Sequence, residues 1–169
     1  MNFSITSLDG DLVRRLEPRS SMPAPWLDAI AALAKARIPV GVLVAPVIPG
    51  LTDHEIPAIL KAASDAGAQW AGKVVLRFPH AVGSLFSAWL NHHVPEKSDR
   101  VLNRIRALHG GRLDDARFGT RMRGQGLFAE QILRLFRVSC RRAGLPSDGP
   151  ELSAVAFRRP AGTQLELGV

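Results

Sequence analysis

The stretch from Val40 to Ile48 constrains the fold of this chain more than any other feature. It reads VGVLVAPVI, an almost unbroken apolar run that is rich in β-branched residues and too short to cross a membrane. Pro39 precedes it and Pro49-Gly50 follows it, so both ends carry residues that interrupt regular structure. Uninterrupted apolar runs of this length are typical of strands that are covered on both faces. We therefore predict a central parallel strand here.

A helix is predicted directly after this strand. Thr52 and Glu55 have the spacing of a capping box, in which each side chain accepts a hydrogen bond from the other residue's backbone N–H. Pro57 favours a somewhat later helix start. Apolar residues then recur at helical spacing up to Gly67, namely Ile56, Ile59, Leu60 and Ala63. Strand, turn and helix form a βα unit, and α/β proteins bind ligands at the carboxyl ends of such strands.

Two further strands and a helix complete the predicted sheet. Residues 2–7 (NFSITS) alternate between apolar and polar, and residues 73–78 (KVVLRF) form an apolar run that Pro79 ends. An amphipathic helix from Trp26 to about Arg37 connects the first strand to the central one. The order strand, helix, strand, helix, strand predicts parallel pairing with right-handed crossovers. The predicted fold class is α/β, a partial (βα) barrel of about three parallel strands followed by a helical C-terminal extension.

We divide the chain into three parts. Residues 1–80 form the predicted βα units, and residues 81–146 form the helical extension with an Arg- and Gly-rich loop. In this extension the clearest amphipathic helix ends at Gly144, and His109 is expected to be an exposed residue at another helix end. Residues 147–169 lack periodicity and are predicted to be an irregular tail.

Composition narrows the class of protein. The chain is 46% hydrophobic and has no signal-peptide pattern and no apolar run long enough to span a membrane, so we expect a cytoplasmic protein. Cys140 is the single cysteine, which excludes an internal disulfide and any metal site built from several cysteines of this chain. We expect Cys140 to act as a small buried apolar residue. The net charge is +7, with 22 Lys and Arg against 15 Asp and Glu, and the excess concentrates between Arg100 and Arg142.

Arg77 and His80 are the candidate catalytic residues. They lie at and just after the end of the third predicted strand, where barrel enzymes place their chemistry. The alternative is structural, with Arg77 paired to a neighbouring carboxylate and His80 in solvent. Common catalytic signatures such as GxSxG, the Walker loop and HExxH are absent from the sequence.

Several motifs together resemble a known family. Residues 46–53 (PVIPGLTD) resemble the fifth-strand motif GxIxGxxE of radical S-adenosylmethionine (SAM) enzymes, with Pro46 in place of the first glycine and Asp53 in place of the glutamate. Residues 4–6 (SIT) with 14–19 (RRLEPR) resemble the fourth strand and its ribose-contacting end, and residues 75–80 (VLRFPH) resemble the sixth strand. Three later segments also match, namely residues 102–106 (LNRIR), 110–115 (GGRLDD) and 117–124 (RFGTRMRG). The span from about residue 3 to 145 is thus similar to the C-terminal half of a bacterial group related to spore photoproduct lyase. Trp26 departs from the pattern, since relatives tend to carry arginine there.

The resemblance implies an activity and a set of site residues. The activity of the intact parent would be reductive cleavage of SAM to a 5′-deoxyadenosyl radical, a lyase-like radical reaction that requires a 4Fe–4S cluster. Ser4 and Thr6 would face the ribose of SAM, and Arg77 with His80 would border the substrate. The backbone and apolar edge of the segment Val47, Ile48, Pro49 and Gly50 would pack near the adenine.

The same resemblance implies that this chain is a fragment. In that family three thiolates of a CxxxCxxC loop hold the cluster, and this sequence has no such loop. We therefore expect the chain to be inactive alone and its partner to be the missing N-terminal half of the barrel.

The alternative is a non-enzymatic module that binds nucleic acid through phosphate contacts of its Arg-rich loop, namely Arg112, Arg117, Arg121 and Arg123.

Overall fold

The computed structural model describes residues 1–78, 82–113, 123–151, 155 and 158. Within these residues the chain forms a three-stranded sheet and six α-helices. The elements are β1 (Asn2–Ile5), α1 (Gly10–Leu16), α2 (Pro23–Lys35), β2 (Gly41–Val47), α3 (Ile56–Asp65), β3 (Trp70–Val75), α4 (Val82–His93), α5 (Pro95–Leu108) and α6 (Gly126–Ala143). None of these helices combines the length and the apolar character that crossing a bilayer requires.

The sheet has the order β1-β2-β3 with all strands parallel. Val42 of β2 lies opposite both Phe3 of β1 and Ala71 of β3, and the register slips between Val44 and Val47. The predictions of an α/β fold with about three parallel strands and of a central strand at β2 are confirmed. Among the described residues, three helices follow the sheet, α4, α5 and α6.

The two faces of the sheet differ in character. One face carries Ile5, Val42 and Val44, which are at most 1% exposed and pack in a core with side chains of α2, α3 and α6. On the other face the indole of Trp70 crosses β2 above Gly41, and its Nε1 donates a hydrogen bond to Asn2 Oδ1 at 2.8 Å. A single tryptophan thus ties β3 to β1 across the central strand.

A second apolar core covers the carboxyl end of the sheet. It joins residues that follow each strand to apolar side chains of α4 and α5. Its buried members are Leu12, Ile48, Leu51, Phe78, Phe86, Leu90, Val94, Val101, Leu102 and Ile105. The helical extension is therefore packed onto the edge where α/β proteins bind ligands.

The third strand begins earlier than predicted. It spans Trp70–Val75 and not residues 73–78, because pairing with the central strand starts where the Gln69 N–H donates to the Val40 carbonyl. Ala71 and Gly72 have low strand propensity, which hid this start in the sequence. Both positions need small residues, since Ala71 is 1% exposed and a Cβ on Gly72 would lie 3.0 Å from Leu43 Cδ1.

The predicted capping box does not form. Thr52 Oγ1 accepts from the Ile48 N–H at 2.9 Å, and Glu55 points to the loop after β1. The reason is the position of Pro57, which lies in the first turn of α3 and moves the helix start to Ile56. A single 3-10 turn, Asp53–Glu55, fills the gap, so Glu55 precedes the helix and no longer occupies its third position.

His109 is buried, and the expectation of an exposed residue is wrong. It is 2% exposed, and its Nδ1 lies 3.3 Å from the Leu113 carbonyl oxygen. Gly110 and Gly111 have φ values of 68° and 92°, and the Gly111 N–H donates to the Arg106 carbonyl at 2.7 Å, so the chain turns back at the end of α5.

Cys140 is buried on α6, as predicted, with 3% of its surface exposed. Burial raises the pKa of its thiol from 9.0 to about 11. At pH 8 we expect Ellman's reagent to modify the folded chain about a hundredfold more slowly than the chain in urea, because the thiolate is the reactive form. The unfolded thiol loses its proton before the folded one, so the free energy of unfolding falls between about pH 9 and 11. Equal rates in buffer and in urea, or the same pH dependence in Cys140→Ala, would contradict this.

Candidate functional site

Two predicted cofactor residues meet at the carboxyl end of β1. Ser4 Oγ donates to the Ala45 carbonyl oxygen at 2.8 Å, and Thr6 Oγ1, which has one hydrogen to donate, lies 3.1 Å from the same oxygen. Thr6 Oγ1 is also 2.7 Å from Glu17 Oε1. Ser4 is exposed and Thr6 is only 3% exposed, so Ser4 is the hydroxyl that a ligand can reach.

Glu55 organises the loop that follows this strand. Its Oε1 accepts from Ser7 Oγ and its Oε2 from the Leu8 N–H, both at 2.7 Å. Ser7 Oγ in turn accepts from the Asp9 N–H at 3.0 Å, and the Asp9 carboxylate caps α1. One carboxylate on the β2–α3 connection therefore fixes the β1–α1 loop. Sequence reasoning missed this role, although Pro57 was a signal that Glu55 would not cap the helix.

The turn after β2 offers little side-chain surface. Val47 and Ile48 are 0% exposed and lie in the first and the second core, respectively, and Pro49 is also buried. Gly50 is half-buried and has a φ of 84°, which favours glycine.

Helix α5 lies against the same turn. A Cβ on Gly50 would lie 3.2 Å from Arg104 Cδ, and Arg104 forms a 3.4 Å ion pair with Asp53. Arg100 donates to the Gly50 carbonyl at 3.2 Å, while the Gly50 N–H donates to Asp53. Asp53, the residue that stands in place of the motif glutamate, is thus used to hold the turn and α5 together.

Arg77 follows β3 and is half-buried. Among the residues that the structure describes, no hydrogen-bond or ion-pair partner is found for its guanidinium, so the predicted alternative of a paired carboxylate is not seen there. His80 lies outside the described residues. The catalytic assignment of Arg77 and His80 stays a prediction.

The predicted nucleic-acid contacts are described in part. Arg117 and Arg121 lie outside the described residues, whereas Arg112 and the exposed Arg123 flank that segment. Three further arginines share one side of α6 at i, i+3 and i+7 spacing, namely Arg134, Arg137 and Arg141. Binding of nucleic acid stays a prediction.

The residues of this chain do not fit a 4Fe–4S cluster. Cys140 is the single cysteine of the sequence, and burial disfavours its thiolate. In the part of the chain that the structure describes, no group of three His, Cys, Asp or Glu side chains is arranged to hold a metal ion. The Ser4 hydroxyl oxygen and the Glu17 carboxylate, in contrast, keep lone pairs that can accept hydrogen bonds from a ligand's hydroxyl groups.

Comparison of the chain with protein-family models, curated proteins and solved structures finds no match. A function therefore has to be inferred from the motifs of the sequence and the geometry of the site.

Proposed function

We propose that this chain forms the C-terminal half of a radical SAM barrel and supplies part of the surface that binds SAM. The observation that carries the proposal is the exposed Ser4 hydroxyl at the carboxyl end of β1, next to Thr6 and the Glu17 carboxylate. A ribose presents two neighbouring hydroxyls, which can donate to the Glu17 carboxylate and to Ser4 Oγ, whose own hydrogen is donated to the Ala45 carbonyl. The motif resemblance independently assigns Ser4 and Thr6 to the ribose.

The arrangement of the strands supports a half-barrel. All three strands are parallel, follow the chain order and alternate with helices, as the units of a (βα) barrel do. Within the described part of the chain, β1 pairs with β2 and with no other strand. Its outer edge is therefore a place where a parallel strand of an N-terminal half would add.

The chemistry of the intact parent would come from a cluster held by thiolates outside these 169 residues. We propose that Arg77 and His80 border the substrate in that assembly. By itself the chain is expected to bind SAM without cleaving it, since its own residues cannot hold the cluster.

Titration calorimetry with SAM tests the assignment of Ser4. Ser4→Ala is expected to weaken binding about fivefold, the equivalent of one hydrogen bond. Ser64→Ala is the matched control, because Ser64 Oγ also donates to a backbone carbonyl, that of Ala143, at 2.7 Å. Its affinity should equal that of the unmodified chain.

Two results would overturn the proposal. If the unmodified chain does not bind SAM at millimolar concentration, SAM is not its ligand. If Ser4→Ala leaves the affinity for SAM unchanged, SAM does not bind at the carboxyl end of β1.

A further inference from the structure

Lys73 is a charged residue in a row of β3 whose other members are buried and apolar. Residues two positions away on the same strand point to the same face, and these are Ala71 and Val75, which are 1% and 0% exposed. Lys73 pairs in register with Val44, which is 1% exposed. A lysine in this row loses hydration without gaining an ion pair, since none is found for it among the described residues.

Lys73 lines a cavity of about 650 Å³ between β3 and the start of α6. Arg123 and Arg137 line the same cavity and are exposed. Burial and the charges of these two arginines lower the pKa of Lys73 below its ordinary value. Three cationic side chains therefore converge on one concave surface.

In the described part of the chain, the acidic residues that line the cavity are not paired with these cations. Glu130 and Asp148 also line the cavity, and both are exposed. Neither forms an ion pair with a cation among the residues that the structure describes. The cations keep hydrogen-bond donors available for a ligand.

We propose that the cavity formed by Lys73, Arg123 and Arg137 binds a phosphate group. A phosphate ester carries up to two negative charges and several acceptor oxygens, which matches three converging cations better than a carboxylate does. Arginine offers a planar pair of donors and lysine a point charge, a combination suited to phosphate. The site is on the β3 side of the sheet, whereas the surface proposed for SAM is at β1, so the two proposals stand independently.

The phosphate has two sources of the same chemistry, a small phosphorylated molecule or the backbone of a nucleic acid. Fluorescence anisotropy with a labelled single-stranded oligonucleotide and calorimetry with ADP separate them. Both are measured at an ionic strength of about 0.15 M, where charges farther apart than about 8 Å are largely screened. Binding of ADP points to the small molecule, and binding of the oligonucleotide alone points to the polymer.

Lys73→Gln is expected to weaken binding of whichever probe binds by about tenfold, because a charge-assisted contact is lost. Lys35→Gln is the matched control, since it removes the same charge from an exposed position at the end of α2. Arg137→Gln should weaken binding similarly. Because Arg137 is exposed, this variant tests the site even if Lys73→Gln fails to fold. Failure of both probes to bind, or equal effects of Lys73→Gln and Lys35→Gln, would overturn the proposal.

Discussion

Replacement of Glu55 by alanine is expected to lower the free energy of unfolding by about 3 kcal/mol. The carboxylate accepts two hydrogen bonds of 2.7 Å, from Ser7 Oγ and the Leu8 N–H, and a bond to a charged acceptor contributes about 1.5–3 kcal/mol. Ser7 is 0% exposed, so its hydroxyl has little access to water as a replacement partner. Urea unfolding monitored by circular dichroism measures the change.

Two variants of neighbouring chemistry make this test specific. Glu55→Gln keeps an acceptor oxygen of the same shape and should lose roughly half as much stability. His54→Ala changes the adjacent, exposed residue and should have no measurable effect. A loss below about 1 kcal/mol in Glu55→Ala would show that water or another group replaces the carboxylate. The Glu55 contacts would then not hold the β1–α1 loop in place.

Gly41→Ala is expected to destabilise the chain by about 2–3 kcal/mol, the cost of overpacking a rigid site. A Cβ at this position would overlap the indole of Trp70, which includes the Nε1 that donates to Asn2 Oδ1. The indole has to move, and its movement breaks the link between β3 and β1. Unfolding in urea and the near-UV circular dichroism of the tryptophans report the two effects.

Gly10→Ala is the control for this substitution. Its Cβ would meet only Met22 Cε, the end of a flexible side chain, at 2.9 Å, and alanine is a better helix former than glycine. In the background of Trp70→Val the penalty of Gly41→Ala should largely disappear, because the overlapping ring is gone. An unchanged penalty in that background would place the strain in the backbone of β2 and not at the indole.

Local signals explain which elements were predicted well. β2 is an apolar run between proline residues, and α6 is an amphipathic helix that ends at Gly144 in the left-handed conformation. Both elements were found because their boundaries depend on residues within a few positions. The start of β3 was missed because Ala71 and Gly72 have low strand propensity. Small residues are needed there because both positions pack closely against other elements.

The candidate site was predicted less completely than the fold. Ser4 and Thr6 were predicted to lie in the first strand and to face a ribose, and the structure brings both to the Ala45 carbonyl. Glu55 was interpreted as a capping residue, since its true partners cannot be read from a local pattern. Lys73 was assigned only to a strand, because nothing in its neighbours along the chain reveals the two arginines that face it.

The sequence by itself determined the alternation of strands and helices, the central position of β2 and the exclusion of a cluster held by cysteines of this chain. These properties follow from hydrophobic periodicity, from proline and glycine positions and from composition. The tertiary structure alone decided which polar groups meet. Ser7 and Glu55 are 48 positions apart, and Trp70 and Asn2 are 68 positions apart. Such pairs form because packing of the two cores brings distant segments together, and no spacing along the chain encodes that distance.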